Sequence, residues 1–387
     1  MTELVSVIVP AFNAGRFIAG TLAAALAQTY ENLEVIVIDD GSVDNTRSLV
    51  ETMACNDRRL LLFSTPNRGV ARARNLGIAN ARGHYVAFLD ADDLWHPLKV
   101  ERQVEALNIH RSDPTWAGVY SFHRTIDEND RITGRGQLLV DCRGYILARD
   151  LVLKFIGNGS NLLVRRDAAL AVGGFDPSYA DNGIGGCEDL DFELRLAARY
   201  RIELVGSFLV GYRRYKGNMS SDGSRMARAM IETVARHLKA NPAISRRVKR
   251  WATGSAHRYA FQVLLRQRHM LPALVAYIKL VLNDPIVAII TAGEVVAAVA
   301  ERFRSERSFG SRLTFLSADP AADSDMPIDT IAFLKQGRLT DEDRMLERDE
   351  TLCSTELRET IDLTTRGENT LAASAAEVQH RHVQEVR

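Results

Sequence analysis

The sequence is poor in cysteine, has no excess charge of either sign and contains no long hydrophobic run. Its 387 residues include only four cysteines: Cys55, Cys142, Cys187 and Cys353. They lie far apart and form no C-x-x-C pair, which argues against the common zinc motifs and predicts reduced thiols. The 49 lysines and arginines balance the 49 aspartates and glutamates, so no nucleic-acid partner is expected.

No segment is suited to cross a bilayer. The longest apolar candidate, residues 286–300, falls short of the roughly 18 residues that a span requires and contains Glu294. Residues 1–3 lead directly into a strand-like run, without the pattern of a secretory signal. Together with the cysteine content, these features predict a cytoplasmic protein.

Several catalytic motifs are also missing. The chain has no G-x-x-x-x-G-K-S/T loop, which argues against a P-loop nucleotidase. No G-x-G-x-x-G follows the first predicted strand, so a dinucleotide-binding fold has no support. Neither a G-x-S-x-G elbow nor an H-E-x-x-H pair is present. The corresponding hydrolase and zinc-peptidase chemistries are therefore not indicated.

What the chain does contain is a regular alternation of strand-like and helix-like segments over its first 225 residues. The strand patterns lie at 5–9, 34–38, 60–63 and 85–89, and the helical patterns between them at 18–26, 43–53 and 69–81. This order predicts an α/β, Rossmann-like fold with a mainly parallel central sheet and helices on both faces.

Composition divides the chain into three regions. We expect a catalytic domain at 1–225 and a helical C-terminal region at 226–315. The remaining residues, 316–387, are polar and weakly periodic, which predicts a partly disordered tail with short helices such as 341–346.

In a parallel sheet, right-handed crossovers bring the carboxyl ends of the strands to one edge, where ligands bind. Polar or turn-forming residues follow each of the four predicted strands. These residues lie at 10–13, 39–42, 65–67 and 90–93. We therefore expect the functional site at this edge.

The segment Asp90-Ala91-Asp92-Asp93 directly follows an apolar strand. Three carboxylates within four residues repel each other, and a divalent cation is the simplest way to relieve that repulsion. Hard oxygen ligands suit Mg²⁺ or Mn²⁺. A solvated acidic turn before the next helix is the alternative, but the position at the predicted ligand edge favours the metal.

Two further strand ends carry charged side chains. Asp39 and Asp40 end the second strand, where a carboxylate can accept a hydrogen bond from a nucleobase or a ribose. After the third strand, Arg68 and Arg72 share a helix face that we interpret as solvated. Arg74 points elsewhere, and a guanidinium at that place could neutralise a diphosphate.

A glycine-rich loop at 183–186 precedes Glu188 and Asp189, which begin a predicted helix. The helix dipole favours anions at this point and should keep Asp189 ionised, as a weak base. Plain capping of the helix is the alternative. A cap requires one short polar residue, however, rather than two adjacent carboxylates.

Five segments in this order resemble the motifs of glycosyltransferase family 2, the inverting enzymes with a nucleotide-diphospho-sugar transferase (GT-A) fold and a DxD motif. They are residues 7–13 (VIVPAFN), 37–44 (VIDDGSVD), 67–75 (NRGVARARN), 88–93 (FLDADD) and 188–191 (EDLD). The segment 172–176 (VGGFD) fits as well. The resemblance covers about residues 4–222 and does not reach the helical region or the tail.

The resemblance implies roles for individual residues. It places the nucleotide against the strand ends, with Asp40 facing the base and Arg74 near the diphosphate. The residues it assigns to nucleotide binding are Pro10, Ala11, Phe12, Asn13, Asp40, Asn67, Arg74, Asp90 and Ala91. Asp92 would ligate the cation, Asp90 would hold the cation or the ribose, and Asp189 would be the catalytic base.

The resemblance also implies a reaction. A sugar would pass from a nucleotide-diphospho sugar, a UDP-sugar first of all, to a hydroxyl acceptor such as a lipid-linked glycan. One displacement would invert the anomeric centre with the help of Mn²⁺ or Mg²⁺, in the synthesis of a surface polysaccharide or glycoconjugate. A non-catalytic nucleotide-sugar-binding or scaffold protein on the same fold is the alternative.

Two features depart from the family pattern. The Q-x-x-R-W motif of processive members is absent, which disfavours chain-extending synthesis of the cellulose type. Many relatives carry a histidine where Tyr215 or Lys216 stands, so the coordination of the cation is open.

In the helical region, basic residues lie next to apolar helices. We favour packing of these helices on the catalytic domain. The alternatives are a homodimer or peripheral contact with the cytoplasmic face of a membrane through residues 226–315.

Overall fold

The computed structural model describes residues 2–134, 136, 140–218, 222–302, 315–317, 320 and 330–349. The strands within this part are β1 Val5–Ala11, β2 Leu33–Asp39, β3 Leu60–Ser64, β4 Tyr85–Phe88, β5 Leu94–Trp95, β6 Trp116–Ile126, β7 Ile132–Gly134, β8 Leu163–Arg165 and β9 Arg201–Arg213. The helices are α1 Ile18–Leu26, α2 Thr46–Ala54, α3 Val70–Asn80, α4 Lys99–Asn108, α5 Leu147–Leu153, α6 Arg166–Ala171, α7 Ser178–Asp181, α8 Glu188–Ala197, α9 Gly223–Ala240, α10 Arg246–Arg266, α11 Met270–Asn283, α12 Pro285–Arg302 and α13 Thr330–Asp349.

All these strands join one sheet, in the order β3-β2-β1-β4-β8-β6-β9-β5, with β7 beside β6. The first four strands pair in parallel, as their alternation with helices predicts. Beyond β4 the sheet is mixed, because β8 pairs antiparallel with both β4 and β6 whereas β6 and β9 run parallel. The predicted α/β fold with a mainly parallel core is confirmed. The mixed half is an addition that the sequence pattern did not predict.

The central strands are buried along their whole length. Every residue of β1 and β2 is buried, which explains why their sequences are mostly apolar rather than alternating. Gly77 of α3 lies directly against Ile8 of β1, where an added Cβ would overlap the isoleucine side chain. This close approach of α3 to the sheet places the polar end of the helix beside the strand ends.

Two element boundaries differ from the predicted ones. β1 continues through Pro10 to Ala11, because β4 pairs with β1 only as far as Ile8 and no ladder bond is lost there. The second helix begins at Thr46 rather than at residue 43, since the Asp44 carboxylate accepts a hydrogen bond from the Thr46 N–H at 3.0 Å and forms a turn.

The region after the sheet is helical as predicted, up to the end of α12 at Arg302, and residues 303–314 lie outside the described residues. α10 packs against α5, α9 and α11. Residues 1–343 form one compact unit, so the domain boundary near 225 remains a prediction. Among the helices that the structure describes, none combines the length and the apolar character that crossing a bilayer requires.

Part of the predicted polar tail is ordered. α13 is much longer than the short helix expected at 341–346. Its Asp343 is buried and pairs with Arg149 of α5 at 2.6 Å. Residues 350–387, for which disorder was predicted, lie outside the described residues.

Candidate active site

The loops after β1 and β2 are joined by hydrogen bonds at the carboxyl edge of the sheet. Asn13, in the left-handed conformation with φ of 50°, donates its N–H to the Ser42 hydroxyl at 2.9 Å. Its side-chain oxygen accepts the Val43 N–H at 2.9 Å. Pro10 and Ala11 are buried beneath this junction, whereas the Phe12 side chain is 51% exposed at the rim. Phe12 therefore offers an apolar surface at the expected edge.

The β2 and β3 ends also meet at this edge. Asp40 is buried, and its carboxylate accepts the N–H groups of Arg68 at 2.9 Å and Gly69 at 2.8 Å. Gly41, with φ of +78°, lies against the backbone N of Asn67, which a Cβ would approach to 2.7 Å. Asn67 is exposed. Asp40 thus fixes the loop that presents Asn67. Its contact with a nucleobase, which the resemblance implies, stays a prediction.

A buried arginine links two distant segments. The Arg74 guanidinium donates to Asp90 at the end of β4, at 2.6 Å, and to Glu188 at the start of α8, at 2.9 Å. Burial lowers the pKa of Arg74, but the charges of Asp90, Glu188 and Asp189 raise it further, so the group stays charged. The predicted ligand edge and the predicted catalytic loop therefore meet at one place. Arg72, by contrast, forms an exposed pair with Asp181, as expected.

Asp189 stands beside this bridge. Gly159 lies between the two, since its Cβ would be 3.3 Å from the Arg74 guanidinium and 3.8 Å from Asp189 Cβ. Burial and the charge of Glu188 raise the pKa of Asp189 to about 6, against the opposing effect of Arg74. The expectation that the helix N-terminus keeps this carboxylate a weak base is therefore wrong: desolvation outweighs the dipole.

The start of α8 is not capped in the usual way. Its N-cap residue is Cys187, with φ of 65° and no side-chain cap bond. The Asp189 carboxylate accepts only the N–H of Leu190, at 2.8 Å, among the hydrogen bonds of the described residues. Simple capping does not account for this pair of carboxylates, because Glu188 is committed to Arg74.

Asp92 has a partner that sequence analysis left unassigned. The Tyr215 hydroxyl lies beside its carboxylate and favours the ionised form of Asp92. Burial and the charge of Asp90 raise the pKa of Asp92 to about 6, so the two carboxylates are close enough to repel each other. The departure from the family pattern at Tyr215 is the sequence signal that could have identified this contact.

The third carboxylate of the acidic segment, Asp93, has a structural role. Asp93 is fully buried and accepts the Ser160 hydroxyl at 2.7 Å and the Arg213 N–H at 2.8 Å. The Arg213 side chain in turn donates to the Asp92 carbonyl at 2.6 Å. Asp93 thus anchors β9 to the end of β4. Only Asp90 and Asp92, with Ala91 between them, remain available to a ligand.

These two carboxylates suit a cation that is shared with a substrate. In the part of the chain that the structure describes, no group of three histidine, cysteine, aspartate or glutamate side chains could hold a metal alone. Mg²⁺ and similar ions are commonly held by one or two carboxylates together with substrate phosphates and water. Asp90 and Asp92 fit this mode of binding and do not form a closed cage.

Comparison with known proteins identifies a family match for the first part of the chain. The model of the family described as Glycosyl transferase family 2 matches residues 6–172. This segment belongs to glycosyltransferase family 2. The family match includes Asp90 and Asp92 but ends before Asp189 and Tyr215, which only tertiary contacts bring near these carboxylates.

Individual relatives match the same part of the chain. Glycosyltransferase GlyG of Streptococcus pneumoniae is 33% identical over 131 residues, which are 34% of this chain and 42% of that protein. Chondroitin synthase of Pasteurella multocida is 35% identical over 133 residues, 34% of this chain and 14% of that protein. The chain thus spans less than half the length of these curated relatives.

Among solved structures, mannosyltransferase PcManGT from Pyrobaculum calidifontis, in complex with GDP-Man and Mn²⁺, is similar at 22% identity with a TM-score of 0.47. The similarity covers 79% of this chain and 89% of that one.

Proposed function

We propose that this protein is an inverting glycosyltransferase that moves a sugar from a nucleotide-diphospho sugar, a UDP-sugar first of all, to a hydroxyl group. The observation that carries the proposal is the Arg74 bridge, because it joins Asp90 and the start of α8 at one place. The family membership of residues 6–172 supports the class of reaction. The chondroitin synthase match supports an acceptor in polysaccharide or glycoconjugate synthesis. A lipid-linked glycan is the acceptor that we propose within this class.

On the donor side, the rim formed by Phe12, Asn13 and Asn67 would contact the nucleotide. Asp90 and Asp92 would hold a Mn²⁺ or Mg²⁺ ion against the diphosphate. The ion, when bound, would act as a Lewis acid that stabilises the negative charge of the departing nucleoside diphosphate. Arg74 fixes the orientation of Asp90 through its 2.6 Å contact.

On the acceptor side, Asp189 would take the proton of the attacking hydroxyl. With a pKa of about 6, it is mostly ionised at neutral pH and yet basic enough to accept a proton as the new bond forms. The hydroxyl oxygen would attack the anomeric carbon from the side opposite the diphosphate. One displacement of this kind inverts the configuration and needs a single carboxylate base.

The proposal is tested by release of nucleoside diphosphate. Purified protein is first screened by thermal shift against UDP-, GDP-, ADP- and dTDP-sugars with and without Mn²⁺. Release of the matching nucleoside diphosphate is then measured for the wild type, Asp92→Asn and Asp189→Asn. Arg72→Ala is the matched control, because Arg72 lies on the same helix as Arg74 but forms an exposed ion pair.

We expect Mn²⁺-dependent release by the wild type and the control, and little release by the two variants at the site. Cation-dependent binding of a donor with no turnover in any assay would instead indicate the non-catalytic binding protein. If no nucleotide sugar binds, both the transferase and the non-catalytic binding protein are contradicted.

A further inference from the structure

The outer surface of α11 and α12 carries most of the exposed apolar bulk of the protein. Sixteen large hydrophobic side chains are exposed among the described residues, and ten of them lie on these two helices. They are Met270, Leu271, Leu274, Val275, Ile278, Val281, Leu282, Ile286, Ile289 and Val296. We call this set the apolar face. Concentrations of this kind usually mark a surface that binds a partner or a membrane.

α11 is well packed on its inner side, so its exposed apolar residues do not result from loose packing of the helix. Its inner side carries the small residues Ala273 and Ala276, which are buried against Ala260 and Leu264 of α10. Its outer side carries the bulky ones, and Leu271 is 75% exposed. Apart from Lys279, the exposed side of the helix is therefore largely apolar, a pattern that water alone does not stabilise.

The ends of the apolar face are basic. At one end, Arg246, Arg247 and Arg250 line a cavity of about 390 Å³ together with Trp251 and Ile286, a member of the apolar face. The Arg250 guanidinium approaches the Leu282 carbonyl at 3.4 Å. All three arginines are exposed, and none forms an ion pair within the described part of the chain. Two more exposed arginines, Arg266 and Arg268, precede α11 at the other end.

The charge of this region differs from that of the whole chain. Residues 241–302 contain nine lysines and arginines and three aspartates and glutamates, although the full sequence has a net charge of zero. Two of the three acids are already engaged: Asp284 is buried in a pair with Lys335, and Glu294 pairs with Arg258 at 2.8 Å. The uncompensated charge beside the apolar face is therefore positive.

We propose that the apolar face docks on the surface of an anionic lipid bilayer. Its aliphatic side chains would enter the interface, and Arg246, Arg247 and Arg250 would bind lipid phosphates. The helices would lie on the membrane and not cross it, since no described helix can span one. A second copy of the chain is the weaker fit, because a symmetric contact would bring these basic ends together. The expectation that the helices simply pack on the catalytic domain covers only their inner sides.

The test is sedimentation of the full-length protein with lipid vesicles, which does not require the proposed transferase activity. Phosphatidylcholine vesicles are compared with vesicles that contain phosphatidylglycerol as well. One variant replaces Leu271, Leu274 and Ile278 by Gln, and a second replaces Arg246, Arg247 and Arg250 by Gln. The controls are Ile109→Gln, an equally exposed apolar residue elsewhere, and Arg58→Gln, an exposed arginine elsewhere.

We expect binding to the anionic vesicles, at least about tenfold weaker for either triple variant and unchanged for the controls. Binding should also weaken at high salt, because the arginine contribution is screened. Failure of the wild type to bind anionic vesicles, or equal binding by all variants, would overturn the proposal. The proposal would also be overturned if light scattering showed a dimer that the apolar triple variant dissociates and no vesicle binding were seen. Nucleotide release measured without vesicles should stay unchanged in the triple variants. Vesicle binding can therefore be interpreted even if the protein proves not to be a transferase.

Discussion

The Tyr215 hydroxyl lies beside the Asp92 carboxylate and favours its ionised form, against the effect of burial on the pKa of Asp92. The Tyr215 ring also packs on Phe17, with ring centroids 4.9 Å apart, and so joins the end of β9 to the loop before α1. Relatives with a histidine at this point would offer an imidazole to the cation. This chain offers a hydroxyl beside Asp92 instead. The proposed cation site therefore relies more strongly on the phosphates of the donor.

This relationship predicts the effect of restoring a nitrogen ligand. Tyr215→His should lower the Mn²⁺ concentration for half-maximal activity by about tenfold, because imidazole adds a ligand for the ion. Tyr215→Phe is the matched control, since it removes the hydroxyl without adding a ligand. Equal Mn²⁺ dependence of the two variants would show that position 215 does not face the cation.

The pH dependence of the reaction should report Asp189. At saturating Mn²⁺ and donor, which would keep Asp92 ionised, we expect an acid limb in which kcat falls below a pKa near 6 by about tenfold per pH unit, because the base Asp189 is protonated. The charge of Glu188 raises the pKa of Asp189, so Glu188→Gln should move the limb to lower pH. If the acid limb of the Glu188→Gln pH profile stays in place or moves to higher pH, the titration belongs to another group.

The Arg74 bridge should be important for stability as well as for activity. Arg74→Met leaves the Glu188 carboxylate buried without its partner, which costs about 3–5 kcal/mol of the free energy of unfolding. Adding Glu188→Gln should recover part of that loss without restoring turnover. Chemical denaturation measures the free energy of unfolding of Arg74→Met and of the double variant. Arg72→Met should cost less than about 1 kcal/mol, because its pair with Asp181 is exposed; a similar cost for both arginines would contradict the account.

A second buried pair ties α13 to the rest of the compact unit. Asp343 accepts the Ala148 N–H as well as the Arg149 side chain, both at 2.6 Å. Asp343→Ala should therefore destabilise the protein by about 3 kcal/mol, since it leaves Arg149 buried beside an unpaired backbone group. Unfolding in urea measures the change. An unchanged midpoint would mean that α13 contributes nothing to the fold.

The parallel half of the fold could be predicted because its signals are local. Each apolar strand is followed by a turn and a helix, and the strand ends are then brought together by topology alone. The mixed half could not be predicted in the same way. β5 and β8 have two and three residues, too few for a periodic pattern, and they pair with strands remote in sequence.

The same distinction applies to the site. Asp90 and Asp92 could be proposed from their position after β4, whereas the structural part of Asp93 depends on Arg213, 120 residues further along the chain. The direction of the Asp189 pKa shift also depends on long-range burial, which overrode the local effect of the helix N-terminus. Local patterns thus identified the acidic residues, and tertiary contacts determined what each of them does.

The central claim is that Asp189 acts on the acceptor beside a donor site that Asp90 and Asp92 form. The most direct measurement is calorimetric donor titration of Asp189→Asn, paired with single-turnover sugar transfer by the same preparation. The account predicts that transfer is abolished while donor affinity stays within about tenfold, because a base contributes to the transition state and not to donor binding. Transfer at the wild-type rate, or a large loss of donor binding, would contradict it.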